Sequence, residues 1–288
     1  MIDVVVSYSQ FSMYMKCPWK WKLTYIDKHK DFTPNIHLVF GTAMHQTIQD
    51  YLNVMFLKSI KEADAMDLES KLHLFMVEQY KKLLQDNGGL HFVTKEDMKD
   101  FYVNGLEIIK TFKKHRINYF NRKTQSLKGI EYQIKLPTVN PNVNAIAYLD
   151  VLIQEGSKYT IYDLKTSSMG WGKFAKSDES KTMQLVLYKN WLARSLNIPL
   201  TDIDINYLIL KLKLYENVDF PQKRIQSFVP PSGTVTMNRI EKNFNTFVND
   251  CFKTDGSYNT DTFFAKNIND CKFCPFKDKP ELCSKNNG

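Results

Sequence analysis

Residues 159–168 read YTIYDLKTSS and place an acid, Asp163, two positions before a base, Lys165. In a strand, side chains alternate between faces, so Tyr159, Ile161, Asp163 and Lys165 share one face. Two charges at the end of a buried apolar strand are costly unless something satisfies them. A divalent cation on Asp163, with a phosphate or a polarised water beside Lys165, would do so. Taken alone, the pair equally fits a surface salt bridge at a strand end. The preceding run, AIAYLDVLIQ (145–154), carries one acid, Asp150. A hairpin joining the two runs sets Asp150 beside Asp163, where two carboxylates raise each other's pKa. A bound Mg²⁺ or Mn²⁺ removes that repulsion, because hard cations take oxygen ligands. The competing reading is an aspartate that caps a turn.

Two further groups of residues bear on this chemistry. In FGTAMHQTIQDYL (40–52), Gly41 allows close backbone approach at an expected helix start, and His45 follows one turn later. A lone histidine there equally fits a core side chain with its hydrogen bonds met. In MQLVLYKNWL (183–192), Gln184 and Tyr188 are four apart and share a helix face. Both can hydrogen-bond a backbone phosphate or a base, and both also suit a half-exposed amphipathic helix.

The elements that must position these groups follow from periodicity. A short strand near residues 3–7 precedes a helical stretch, with Ser7 or Ser9 as its cap. Met44, Ile48, Tyr51 and Met55 recur at helical spacing, and helical patterns continue through 69–85 and 95–120, separated by the turn DNGG at 86–89. The texture changes near Gly129 to three strand-like runs. The second and third are separated by EGS, a gap short enough for a hairpin. A helix over 179–196, two further strands and a closing helix complete the chain. Helices, strands, a helix and more strands imply an α/β fold, a mixed central sheet flanked by helices. With no clean linker, one domain spanning 1–288 is expected, with a helical subregion at about 42–125, a core at about 129–230 and a cysteine-rich close.

The order G-x-x-x-H, strand Asp, D-x-K, Q-x-x-x-Y resembles the RecB-like branch of the PD-(D/E)XK nuclease superfamily, whose core is restriction-endonuclease-like. The carriers are Gly41 with His45, Asp150, Asp163 with Lys165, and Gln184 with Tyr188. The resemblance implies that His45, Asp150 and Asp163, helped by the Leu164 carbonyl, bind Mg²⁺ or Mn²⁺. It implies that Asp150, Asp163 and Lys165 are catalytic, with Lys165 assisting the attacking water, and that Gln184 and Tyr188 position DNA. Ala147 stands where such proteins often have glycine, and Glu131 where they often carry an acid in a supporting role.

Five cysteines are present: Cys17, Cys251, Cys271, Cys274 and Cys283. Three fall in the last eighteen residues, a concentration that points to metal ligation. The opening segment with Cys17–Pro18 and the tail CKFCPFKDKPELC resemble AddB-type and CRISPR-adaptation nucleases. Those clasp a 4Fe–4S cluster with one early and three late cysteines, which implies the set Cys17, Cys271, Cys274 and Cys283 as a structural staple. Eight residues separate Cys274 from Cys283, a longer gap than usual there. Zn²⁺ is the alternative for four thiolates. Cys251, on an apolar helix, reads as a buried structural thiol.

The 288-residue chain is formally +8 with a pI near 9.0, which favours polyanionic partners. Residues 110–123 hold six Lys or Arg and no acid, and KCPWKWK (16–22) interleaves lysine with tryptophan. No apolar run approaches a membrane span and no signal-peptide pattern is present, so a cytoplasmic location is expected, or host cytoplasm for a viral protein. No phosphate-loop motif of a helicase occurs. The expected activity is metal-dependent hydrolysis of DNA, as an exonuclease on single strands or free ends, in recombination, repair or phage replication, alone or with a helicase or recombination partner. The alternatives are a non-catalytic nucleic-acid-binding module on the same fold and a zinc-bearing interaction protein.

Overall fold

A computed structural model describes residues 4–29 and 33–283. Strand β1 (Val4–Ser7) runs into helix α1 (Tyr8–Lys16), whose first turn is capped by Ser7 accepting the Gln10 amide. The expected single helical stretch is broken at Cys17. Pro18 cannot continue a helix but suits the first position of a new one, so α2 (Pro18–Tyr25) starts there. Cys17 ends α1 and caps α2, its Sγ accepting the Lys20 amide.

Helix α3 (Ile36–Leu57) begins five residues before Gly41, capped by Asn35. Gly41 is therefore interior and not at the helix start, and His45 lies beyond the second turn. The glycine still has a steric role: a Cβ there would stand 3.3 Å from Thr166 Oγ1. Met44, Ile48, Tyr51 and Met55 are all buried, as their spacing requires. A short helix not expected from the sequence, α4 (Ile60–Asp64), leads to α5 (Leu68–Asp86) and α6 (Lys95–His115), the latter opened by a Thr94–Asp97 capping box.

Strands β2 (Ser126–Pro137), β3 (Val143–Glu155) and β4 (Lys158–Ser167) follow as antiparallel neighbours, and Gly156, at φ 59°, turns the expected β3–β4 hairpin. Then come α7 (Lys173–Ser177), also not expected, α8 (Glu179–Leu196), β5 (Ile203–Lys211), β6 (Ile225–Phe228) and α9 (Thr234–Cys251). The six-stranded sheet is mixed: β1 runs parallel to β3, and β4 parallel to β5. Helices cover both faces, as expected. One core cluster joins the sheet to α1, α2, α8 and α9; the other joins it to α3, α5 and α6. Among the described residues, no helix is long and apolar enough to cross a membrane.

One feature of the sheet creates the site. β2 pairs along nearly the whole of β3, so β1 and β4 must share its other edge. β1 pairs only as far as Ile146, and β4 only from Val151 onward. Residues 147–150 thus border a gap in the ladder. Facing changes here too: Leu149 packs in one core cluster and Val151 in the other, while on β2 Tyr132 and Ile130 divide the same way. Glu131, opposite Asp150, absorbs the inversion with φ 48°, a conformation rare for a residue with a Cβ.

Candidate active site

Asp150 and Asp163 would be the next antiparallel pair after Val151 and Tyr162. The ladder stops short of them. Asp150 Oδ2 instead accepts the Leu164 amide at 2.7 Å, replacing the strand carbonyl that would otherwise take it. His45, on α3, approaches from one face of the sheet, with Nδ1 3.5 Å from Asp150 Oδ2. The Leu164 backbone is a further hydrogen-bond partner of the imidazole.

From the other face come Lys165 and α8. Lys165 Nζ lies 2.8 Å from Asp163 Oδ1 and donates to Gln184 Oε1 at 3.1 Å; Gln184 Nε2 donates in turn to Tyr188 Oη at 3.2 Å. Asp163 is 3 % exposed, so the pair is no surface salt bridge. Lys165 is thus the ion-pair and hydrogen-bond partner of the buried Asp163 carboxylate. Tyr188 is also buried, and its hydroxyl engages Gln184.

Electrostatics follow from this burial. Desolvation, partly opposed by Lys165, pushes both Asp150 and Asp163 up to about 6; for Asp163, the Asp150 charge adds to the rise. Burial, reinforced by Lys165, pulls His45 down to about 4, so the imidazole is neutral near pH 7. Burial also pulls on Lys165, but the two aspartates outweigh it, and its pKa is raised.

A divalent cation meets the needs of these residues. Two desolvated carboxylates, with the charge of Asp150 bearing on Asp163, are what a hard cation would satisfy. No cage is preassembled: among the described residues, no three His, Cys, Asp or Glu side chains form a group placed to hold a metal ion.

Sequence reasoning missed Gln49, one turn beyond His45. Its Nε2 donates to Glu131 Oε1 at 2.6 Å and to the Asp150 carbonyl at 3.1 Å. The signal was its i+4 spacing from His45, which puts both on one helix face. Glu131 therefore reaches the site's edge, and its charge bears on both His45 and Asp150. Beside Lys165 and Gln184 opens a groove of about 440 Å³, lined also by Thr166, Ser167, Trp171 and Lys181.

A model of the PD-(D/E)XK nuclease superfamily matches residues 5–279. The chain belongs to the PD-(D/E)XK nuclease superfamily. The mixed sheet with helices on both faces agrees with the restriction-endonuclease-like core of that superfamily. Membership supports a nuclease-type function, hydrolysis within nucleic acid, and such nucleases typically use divalent metals. No curated protein matches the sequence. A solved structure described as "Crystal structure of SSO0001" aligns over 93 % of this chain and 96 % of its own, at 13 % identity and a TM-score of 0.33.

The cysteines form a second locus. Cys17, Cys271, Cys274 and Cys283 line one cavity of about 220 Å³, together with Trp19, Lys16, Lys20 and Lys266. The terminal segments meet here through direct bonds: Trp19 Nε1 donates to the Leu282 carbonyl at 3.0 Å, and Asn267 Nδ2 to the Lys16 carbonyl at 2.7 Å. Cys251 is separate and fully buried, and burial pushes its thiol well up.

The basic stretch expected to face nucleic acid is partly committed elsewhere. Arg116 pairs with Asp64 at 2.9 Å, Lys113 donates to the Asp64 carbonyl, and Arg122 caps the end of α3 through the Lys58 carbonyl at 2.7 Å. In KCPWKWK, Trp21 is buried core, while Trp19 remains half-exposed under Lys22 and Lys266.

Proposed function

We propose that this chain is a metal-dependent deoxyribonuclease that hydrolyses phosphodiester bonds at single-stranded or free DNA ends. The observation that carries the reading is the meeting of His45, Asp150, Asp163, Lys165 and Gln184 at a gap in the sheet ladder. His45, Asp150 and Asp163, with the Leu164 carbonyl, would hold Mg²⁺ or Mn²⁺. When bound, such an ion polarises the phosphoryl oxygen and acidifies water. Lys165 supplies a fixed positive charge beside the attacked phosphate, orienting the water and stabilising developing negative charge. Gln184 holds the Lys165 ammonium together with Asp163, and Tyr188 holds Gln184. Gln49 and Glu131 fix the backbone at Asp150. The neighbouring groove, with Lys181 and hydroxyls at Thr166 and Ser167, offers the strand a polar path. An exonuclease acting in recombination, repair or replication, as one domain and alongside a helicase partner, is the form of activity that an end-directed substrate favours.

Iron–sulfur ligation by Cys17, Cys271, Cys274 and Cys283 belongs to the same reading. The four thiols line one cavity of about 220 Å³, and Lys16, Lys20 and Lys266 beside it would balance a cluster's negative charge. Tetrahedral Zn²⁺ is the alternative for the same four thiols.

The test is cleavage of end-labelled single- and double-stranded DNA with Mn²⁺ by wild type, Asp163→Ala and Lys165→Ala. Digestion by wild type alone, from ends and favouring single strands, supports the reading; intact DNA with wild type, or equal cutting by all three, overturns it.

A further inference from the structure

Two buried tyrosines reach α8 from different elements and touch adjacent rungs of its hydrogen-bond ladder. Tyr207 is the parallel-register partner of Asp163 and is 0 % exposed. Its hydroxyl donates to the Lys181 carbonyl at 2.9 Å and accepts from the Leu185 amide at 3.3 Å. An α-helix would join Lys181 C=O and Leu185 N–H directly. Tyr8, at the start of α1, repeats the arrangement one rung earlier. Its hydroxyl donates to the Ser180 carbonyl at 2.8 Å, and the Gln184 amide is another of its partners. Both hydroxyls thus stand between the carbonyl of residue i and the amide of residue i+4, and the helix continues past them.

Side chains inserted at the i→i−4 ladder are a recognised cause of local helix distortion. Here the two hydroxyl bridges meet α8 at Gln184 and its neighbour Leu185, and Gln184 is the residue that accepts from Lys165. Phenylalanine would fill the same apolar space without burying a hydroxyl; the rings already pack on Tyr188, Trp171 and Phe228. Packing alone therefore does not require the hydroxyls, and both engage the backbone of α8 next to Gln184.

We propose that Tyr8 and Tyr207 are positioning residues that wedge the first turns of α8 and so aim Gln184 at Lys165. The inference rests on the nuclease reading of this site. Tyr207 also ties α8 to the strand position beside Asp163, so the Lys165–Gln184 distance is set by the element that backs the carboxylate. With phenylalanine, Lys181 C=O and Leu185 N–H close on each other, and the Gln184 amide swings away from the ammonium.

The test is a double-mutant cycle. Tyr8→Phe and Tyr207→Phe are measured for kcat on single-stranded DNA, in the wild-type and Gln184→Ala backgrounds, after circular dichroism has verified folding. Each substitution lowers kcat by about tenfold or more in the wild-type background, the range for residues that orient an active group. In the Gln184→Ala background each costs less than about twofold, because the interaction it serves is gone. Either tyrosine alone suffices should the double variant fail to fold. Hydrogen exchange without metal gives a readout independent of activity: Tyr207→Phe alters exchange at the Leu185 amide and leaves that of Leu192 as in wild type. Equal losses in both backgrounds, or unchanged exchange at Leu185, overturn this inference alone. A wild type inert on every DNA overturns the nuclease reading instead.

Discussion

Asp150 accepts the backbone amide of Leu164 at 2.7 Å across the end of the β3–β4 ladder. One carboxylate thereby replaces a strand hydrogen bond and faces His45. Asparagine keeps an acceptor oxygen at this position and alanine does not. Leaving a buried amide without a partner costs about 1–3 kcal/mol. Asp150→Ala should therefore unfold that much more easily than Asp150→Asn in urea titrations. Both should lose DNA cleavage by at least about a hundredfold, because neither restores the charge. Equal stability of the two would show that the Leu164 contact contributes nothing.

Asp163 offers a pH test. Its folded-state pKa is raised to about 6, chiefly by burial, whereas an unfolded aspartate titrates near about 3.9. The folded protein thus binds this proton more tightly than the unfolded chain. Stability attributable to the neutral carboxyl is present at pH 4, is lost as pH rises to about 6, and stays lost above that. Asparagine never ionises. The melting temperature of Asp163→Asn, relative to wild type in chelator, should therefore climb between pH 4 and 6 and level off. About two pH units correspond to at most about 3 kcal/mol. Mn²⁺ at pH 7 should raise the wild-type melting temperature more than that of the variant. A difference independent of pH would contradict the burial argument.

The cysteine cavity makes a spectroscopic prediction. Protein purified without oxygen should be brown, absorb broadly near about 400 nm, and contain iron and sulfide. Cys283→Ser should lose the absorption and melt lower, while Cys251→Ser, whose thiol lies outside the cavity, should keep the colour. Colourless anaerobic protein carrying zinc would contradict the cluster.

Arg122 and Arg116 make a prediction about what the basic segment does. Both are engaged by the protein itself, at the end of α3 and at Asp64. Arg122→Ala should lower the melting temperature by the equivalent of about 1 kcal/mol, the worth of a helix-end hydrogen bond. It should leave the salt dependence of DNA binding unchanged. Lys181→Ala, in the groove, should instead flatten that salt dependence. The opposite pattern would move the DNA path to the segment between α6 and β2.

Much of this arrangement was legible because its signals are local. Helical spacing exposed the buried stripe of α3, and EGS exposed the hairpin that brings Asp150 toward Asp163. The start of α3 was misplaced because Gly41 looked like a boundary, while the Asn35 cap precedes an apolar stretch that already belongs to the helix. The break in the first helix was written at Pro18. What stayed hidden is non-local. That β1 shares an edge of β3 with β4, leaving a gap at Asp150, depends on strands far apart in sequence. Tyr8 and Tyr207 read as core aromatics, and only tertiary packing places their hydroxyls at α8. A basic run likewise does not reveal which of its side chains the fold itself consumes.

The central claim, that Asp163 and Lys165 serve hydrolysis, is tested most directly by one assay. End-labelled single-stranded DNA is incubated with Mn²⁺ and wild type, Asp163→Ala or Lys165→Ala, each verified as folded. Wild type should shorten the strand, with both variants at least about a hundredfold slower. If either folded variant digests DNA at the wild-type rate, the proposed chemistry at this pair is wrong.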